Sequence, residues 1–284
     1  MFQSRAMLVE LTLRQWTSLK HDKAISADVA AIHHATRDSG KYIKRLVPKE
    51  ALAPISKKLG QIRAWHYQRT LPWGNNGQRL LPSKGFMEYR NELANHRREV
   101  DRLIDKFVAA YPQYRTDAAT ELGTLFNSGE YPTEATVRNS FGIDFNVFPI
   151  PASGDFRVDI AQEEKDTLKQ AMEQEFAQRQ KVVTAECYTR ARDVLDRLIA
   201  QMTAKKPRIT TALGMDWQNL PKTLRTLNIG DDRRLTSFAD TLDTYVTGNM
   251  RLVPRHITAM APSIRQAWAT RLQEIAAEIP KDAT

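Results

Sequence analysis

QEEKDTLKQAMEQEFAQRQKVVTAECYTRARDVLDRLIAQMTAKK, residues 162–206, contains neither proline nor glycine. Within it Leu168, Met172, Phe176, Val183, Ala191, Val194, Leu198 and Met202 recur at intervals of mostly three to five, the spacing of one face of an α-helix. At 1.5 Å per residue about 42 helical residues make a rod of roughly 60 Å, and a stripe of that length needs something to cover it. Residues 83–111 carry a comparable stripe, Phe86, Leu93, Val100, Leu103, Ile104, Phe107 and Val108, closed by Pro112. Antiparallel packing of the two helices would bury both stripes, and so would a coiled coil between two copies of the chain, which makes a homo-oligomer an expectation.

The rest of the chain is read outward from these helices. Residues 5–23 alternate and then drift into a helical pattern, a strand running into a helix. Ser26 is a good N-cap for a helix ending at Gly40, and Pro54 suits the first turn of another, carrying Ile55, Leu59 and Ile62 and ending before Pro72. LPWGNNGQRLLPSKG, residues 71–85, reads as a loop. Two short helical pieces follow, and then Phe141, Ile143, Phe145 and Val147 alternate as a strand, with FRVDI, residues 156–160, as its hairpin partner. Residues 211–279 read as short helices, with Asp231 and Ser263 as N-caps. The expected fold is mainly α with a small β-hairpin (α+β). The expected divisions are a basic N-terminal region (1–160), the long helix (161–206) and a C-terminal helical region (207–284).

Composition and charge limit the function. At 284 residues and 42% hydrophobic, the chain can bury a sizeable core and has no apolar run of the roughly 18 residues that span a bilayer. MFQSRAMLVELTLRQW at the N-terminus lacks a continuous apolar stretch, so export is not expected, and the lone Cys187 points to a reduced compartment, the cytoplasm. The net charge of +9 is concentrated. Residues 39–87 hold ten cations (Lys41, Lys44, Arg45, Lys49, Lys57, Lys58, Arg63, Arg69, Arg79 and Lys84) against Glu50, leaving 32 cations and 32 acids elsewhere. Concentrated charge attracts polyanions, unless these side chains pair with distant carboxylates.

The six histidines fit no metal-ligand spacing, and no GxxxxGK[ST], GxGxxG or GxSxG occurs, so neither cofactor nor enzymatic activity is expected. Single-stranded nucleic acid is held by cations along the phosphates and aromatic rings under the bases. Both ingredients are interleaved between residues 57 and 84. Lys57, Lys58, Arg63, Arg69, Arg79 and Lys84 are the expected phosphate contacts, and Tyr67 and Trp73 the expected stacking rings. Trp65, Tyr67 and Trp73 are equally suited to a core, and at least one of them is expected there. GNNG, residues 74–77, could present backbone amides to a phosphate or form a plain tight turn.

DSGKYIKRLVPKEALAPI (38–55), WHYQRTLPWGNNGQRLLP (65–82) and FPIPASGDFRVDI (148–160) together resemble a family of unknown function found chiefly in tailed bacteriophages and prophages. The resemblance covers about residues 7–200, leaving Met1–Ala6 as an upstream start or a vector remnant. It implies an intracellular phage protein of a replication, recombination or takeover gene set, and it brings no catalytic residues. Two functions follow as expectations. One is single-stranded DNA binding in replication or recombination. The other is an adaptor or host-factor inhibitor that engages a phage or host protein through the long helix and basic loop.

Overall fold

Most of the 162–206 run, Gln162–Thr203, folds as one continuous helix in a computed structural model that describes residues 4–74, 77–151, 162–248 and 260–280. In chain order the elements are β1 (Ala6–Arg14), β2 (Leu19–Asp22), α1 (Lys23–Ile32), β3 (Tyr42–Arg45), α2 (Lys49–Arg69), β4 (Leu71–Pro72) and β5 (Arg79–Pro82). Then follow α3 (Phe86–Leu122), α4 (Glu134–Asn139), β6 (Gly142–Phe148), α5 (Gln162–Thr203), α6 (Thr211–Leu227), α7 (Arg233–Thr247) and α8 (Pro262–Ala277). One sheet has the order β4-β5-β1-β6, and β2 pairs with β3 in a two-stranded ribbon. The protein is mainly α with a small β component.

The chain forms two compact units, each assembled from segments far apart in sequence. The first comprises Met1–Glu10, Tyr67–Met87 and Val147–Thr284. Its core is built on the C-terminal half of α5, where Val183, Cys187, Ala191, Leu195, Leu198 and Met202 are all buried. They meet Trp217, Leu220 and Leu224 of α6, Phe238 and Leu242 of α7, and Leu272 and Ile275 of α8. Each Val, Leu, Ile, Met or Phe side chain among them contributes about 1.5–3 kcal/mol on removal from water. Leu8 of β1, Leu71 of β4 and Leu80 of β5 close the same core. Within this unit α5 packs on α6, α8 and β4.

The second unit comprises Leu11–His66 and Glu88–Asn146. Leu52, Ile55, Leu59 and Ile62 of α2 bury one face with Val100, Ile104, Phe107 and Tyr111 of α3, and Trp16 packs edge-on against Tyr111. The β2–β3 ribbon is antiparallel, with His21 opposite Ile43 and Lys20 opposite Lys44. Lys44 is 4% exposed. Its ammonium lies 3.0 Å from Asp22 Oδ2 and 2.7 Å from Glu130 Oε2, and donates to the Leu125 carbonyl at 2.8 Å. Burial opposes its charge, but Glu130 and Asp22 outweigh burial and hold the group above its ordinary range.

Several local expectations are corrected. Asp22, not Ser26, caps α1, because Asp22 Oδ1 accepts from Ile25 N while the Ser26 hydroxyl is engaged by Asp22 O and Tyr42 N. α2 begins at Lys49, so Pro54 lies inside it. α3 runs through Pro112 to Leu122, because Tyr111 and Ala118 on either side are buried and their packing outweighs the lost backbone bond. Asp232 caps α7, its carboxylate accepting from Arg234 N and Leu235 N, while Asp231 adopts φ 50°. Ser263 lies within the first turn of α8, after Pro262. Residues 71–82 are not a plain loop: β4 and β5 pair antiparallel, Leu71 with Leu80 and Pro72 with Arg79, so LP and RLLP are paired strands. β6 lies where the alternation predicts a strand and takes its place beside β1, while its expected partner FRVDI lies outside the described residues.

Candidate nucleic-acid interface

The basic aromatic segment is divided between the units. Lys57, Lys58 and Arg63 belong to the second, and Tyr67, Arg69, Trp73, Arg79 and Lys84 to the first. In the second unit Lys57 and Arg63 are exposed on α2, and Lys58 is paired with Glu99 of α3. Lys44 and Lys58 thus have carboxylate partners drawn from elsewhere in the chain. Trp65 stacks on Tyr89 with ring centroids 4.4 Å apart and donates its indole N–H to Glu92. His66 Nδ1 and the Tyr89 hydroxyl are 2.8 Å apart, and Phe145 stacks on the Tyr89 ring. Burial raises the Tyr89 phenol far above its ordinary range. His96 stands edge-on to Trp65 at 4.8 Å with Nδ1 buried and without a hydrogen-bond partner. Burial and then Lys58 hold its imidazole below the ordinary range, against opposing contributions from Glu99 and Glu92.

In the first unit α2 ends at Arg69 and the chain enters β4, with Tyr67 and Thr70 both in contact with Arg79 of β5. Tyr67 is 50% exposed, and the Arg79 guanidinium lies over its ring, 4.5 Å from the centroid. Thr70 fixes Arg79: Nε donates to Thr70 Oγ1 at 2.7 Å and an NH2 group to Thr70 O at 3.1 Å. Arg69 is half-buried, and Lys84 is exposed in the short 3-10 turn Ser83–Gly85. Gly77 has φ 77°, a left-handed conformation that glycine adopts at least cost; Asn75 and Asn76 lie outside the described residues.

Trp73 is the correction in this set. It is 8% exposed, its ring lies 5.5 Å from Phe176, and the Arg179 guanidinium sits 4.8 Å from its centroid. Its faces serve the core and α5, which withdraws it from base stacking. Of the two expected stacking rings, Tyr67 alone is half-exposed.

Two arginines that the sequence reading did not select complete the surroundings. Arg179 and Arg190 lie 11 residues apart on α5, three turns, and so share a face about 16 Å long. Arg179 covers Trp73, while Arg190 reaches the end of α2, donating to Gln68 O at 3.0 Å and Thr70 O at 2.8 Å, with Nε on Glu186 at 2.8 Å. Arg79 and Arg190 both donate to Thr70 O, at 3.1 Å and 2.8 Å, so the two guanidinium groups are close neighbours. Near a protein surface such a like pair costs on the order of 1–3 kcal/mol. Accordingly, burial and then Arg190 hold the Arg79 guanidinium below its ordinary range. Among the described residues Arg79 makes no ion pair, and Glu186 is committed to Arg190. In sequence, Glu175–Arg179 and Glu186–Arg190 look like ordinary surface i,i+4 pairs, so nothing distinguishes them before the fold is known.

Other chemistry is sparse. His21 Nε2 and Ser26 Oγ are 3.0 Å apart, but Ser26 gives its proton to Asp22 O, so the pair is not wired as base and nucleophile. Among the described residues no group of three or more His, Cys, Asp or Glu side chains could hold a metal ion, and no helix is long and apolar enough to cross a membrane. No family model, curated protein or solved structure matches the chain.

Proposed function

We propose that this chain is a phage nucleic-acid-binding protein that takes single-stranded DNA in the host cytoplasm, in replication or recombination. The observation that carries the reading is the half-exposed Tyr67 ring with the Arg79 guanidinium held over it. An aromatic face beside a fixed cation is the pairing that single strands use, the ring for a base and the cation for the adjoining phosphate. The excess charge of residues 39–87 supports it, since Lys57 and Arg63 in one unit and Lys84 in the other stand exposed to solvent. The sequence resemblance to a phage family points the same way.

The test is fluorescence anisotropy of the full chain with a labelled oligothymidylate over a salt series. Binding should weaken steeply with salt, each neutralised phosphate adding about −0.7 to the log–log slope. Undetectable binding at low salt overturns the reading and favours the adaptor alternative, which the exposed N-terminal half of α5 supports through Leu168 and Val182. A partner captured from nuclease-treated lysate would then identify that function.

A further inference from the structure

The cation beside Tyr67 has a companion. Arg79 comes from β5 and Arg190 from α5, more than 100 residues later, and both converge on the carbonyl oxygen of Thr70. Thr70 Oγ1 and O take Arg79 Nε and one NH2, which leaves donor hydrogens on the outer edge of this guanidinium. Arg190 is anchored at three points, by Glu186, Gln68 O and Thr70 O, so it cannot swing away to relieve the repulsion. Two guanidinium groups and one carboxylate leave a net positive charge held in place by backbone. Arg79 is half-buried and has no carboxylate of its own among the described residues. A fixed like-charge pair of this kind is relieved by an oxyanion, and the planar guanidinium fork matches phosphate geometry.

We propose that Arg79 and Arg190 form a seat for a single phosphate group beside the Tyr67 ring. Under the function proposed above, which this inference rests on and deepens, the occupant is a phosphodiester of the strand whose base stacks on Tyr67. The same chemistry would accept a free phosphomonoester, and the experiment separates the two sources. Arg190 enters as a positioning residue: it fixes the Gln68–Thr70 backbone and adds its charge, while Arg79 presents the open fork.

The experiment follows the arginine Nε–H resonances of the full chain by heteronuclear NMR, first with inorganic phosphate and then with oligothymidylate. The Arg79 and Arg190 signals, assigned by their disappearance in Arg79→Lys and Arg190→Lys, should move saturably with phosphate. In Arg79→Lys the response of Arg190 should weaken about tenfold, the loss of one charge-assisted fork, with the amide spectrum otherwise retained. Oligothymidylate should move the same signals and weaken in the same variant. Signals that phosphate leaves in place, or moves equally in wild type and Arg79→Lys, overturn the seat. Should Arg79→Lys fail to fold, Arg190→Lys carries the comparison through the Arg79 signal. A phosphate response without oligonucleotide binding upholds the seat, assigns it to a phosphomonoester, and overturns the nucleic-acid reading alone. Oligonucleotide binding with both signals unmoved has the opposite meaning.

Discussion

Tyr67 and Trp73 are six positions apart in one segment, yet Tyr67 is 50% exposed and Trp73 is 8% exposed. Nothing local separates them in sequence, because both rings suit either a core or a base. The difference comes from Phe176 and Arg179, about 100 residues away, which α5 places against Trp73. Tyr67→Ala should therefore weaken single-strand binding by about 1–3 kcal/mol and leave thermal stability nearly unchanged. Trp73→Ala should cost on the order of 3–5 kcal/mol of stability, read by denaturant unfolding. Lys44 shows the same limit: it is one of the ten cations of residues 39–87, and only the fold shows that Asp22 and Glu130 enclose it. Lys44→Ala leaves two carboxylates without their cation and should destabilise by about 3–5 kcal/mol. Cys187 is buried and its thiol is pushed up to about 12, burial being the main cause. It should resist a thiol reagent in the native protein and react fully only on unfolding.

At the scale of elements, long-period patterns were legible and breakers were not. α5 and β6 lie where periods of 3.6 and two place them. Pro54, Pro112 and Pro221 all sit inside helices, because buried neighbours such as Tyr111, Leu220 and Leu224 outweigh a missing backbone bond. The pairing of β4 with β5 is not legible because the strands are only two and four residues long and contain proline. α5 itself changes character midway: before Val183 its stripe is at most half-buried, as at Phe176, and from Val183 on one face is fully buried, although the sequence stripe is continuous. Leu198→Ala should thus cost about 2–5 kcal/mol, while Gln174→Ala should stay within about 0.5 kcal/mol by the same unfolding measurement. The stack of Trp65 and Tyr89, contributed by α2 and α3, gives a pH signature through His96. Its folded value lies below the unfolded 6.5, so the stability it contributes is present above that pH and is lost as pH falls through the depressed folded value. A pH series of melting temperatures should show this decline, and His96→Leu should flatten it.

For the whole molecule, the sequence divides linearly near residues 160 and 206, whereas contacts group β1 residues, the 67–87 segment and everything after 147 into one unit. A linear pattern cannot report such interleaving, because it depends on which distant stripes meet. That grouping is also what brings Arg190 to the segment that carries the charge. The candidate interface was therefore half legible: Tyr67 and Arg79 could be chosen from composition and spacing, and Arg190 could not. The most direct measurement is photocrosslinking of the full chain to an oligothymidylate containing 5-bromodeoxyuridine, followed by tryptic digestion and mass spectrometry. The crosslink should fall on Tyr67 within AWHYQR, residues 64–69, and not on Trp73 within TLPWGNNGQR, residues 70–79. No crosslink in residues 64–69, or one confined to a segment away from Tyr67, would contradict the proposed interface.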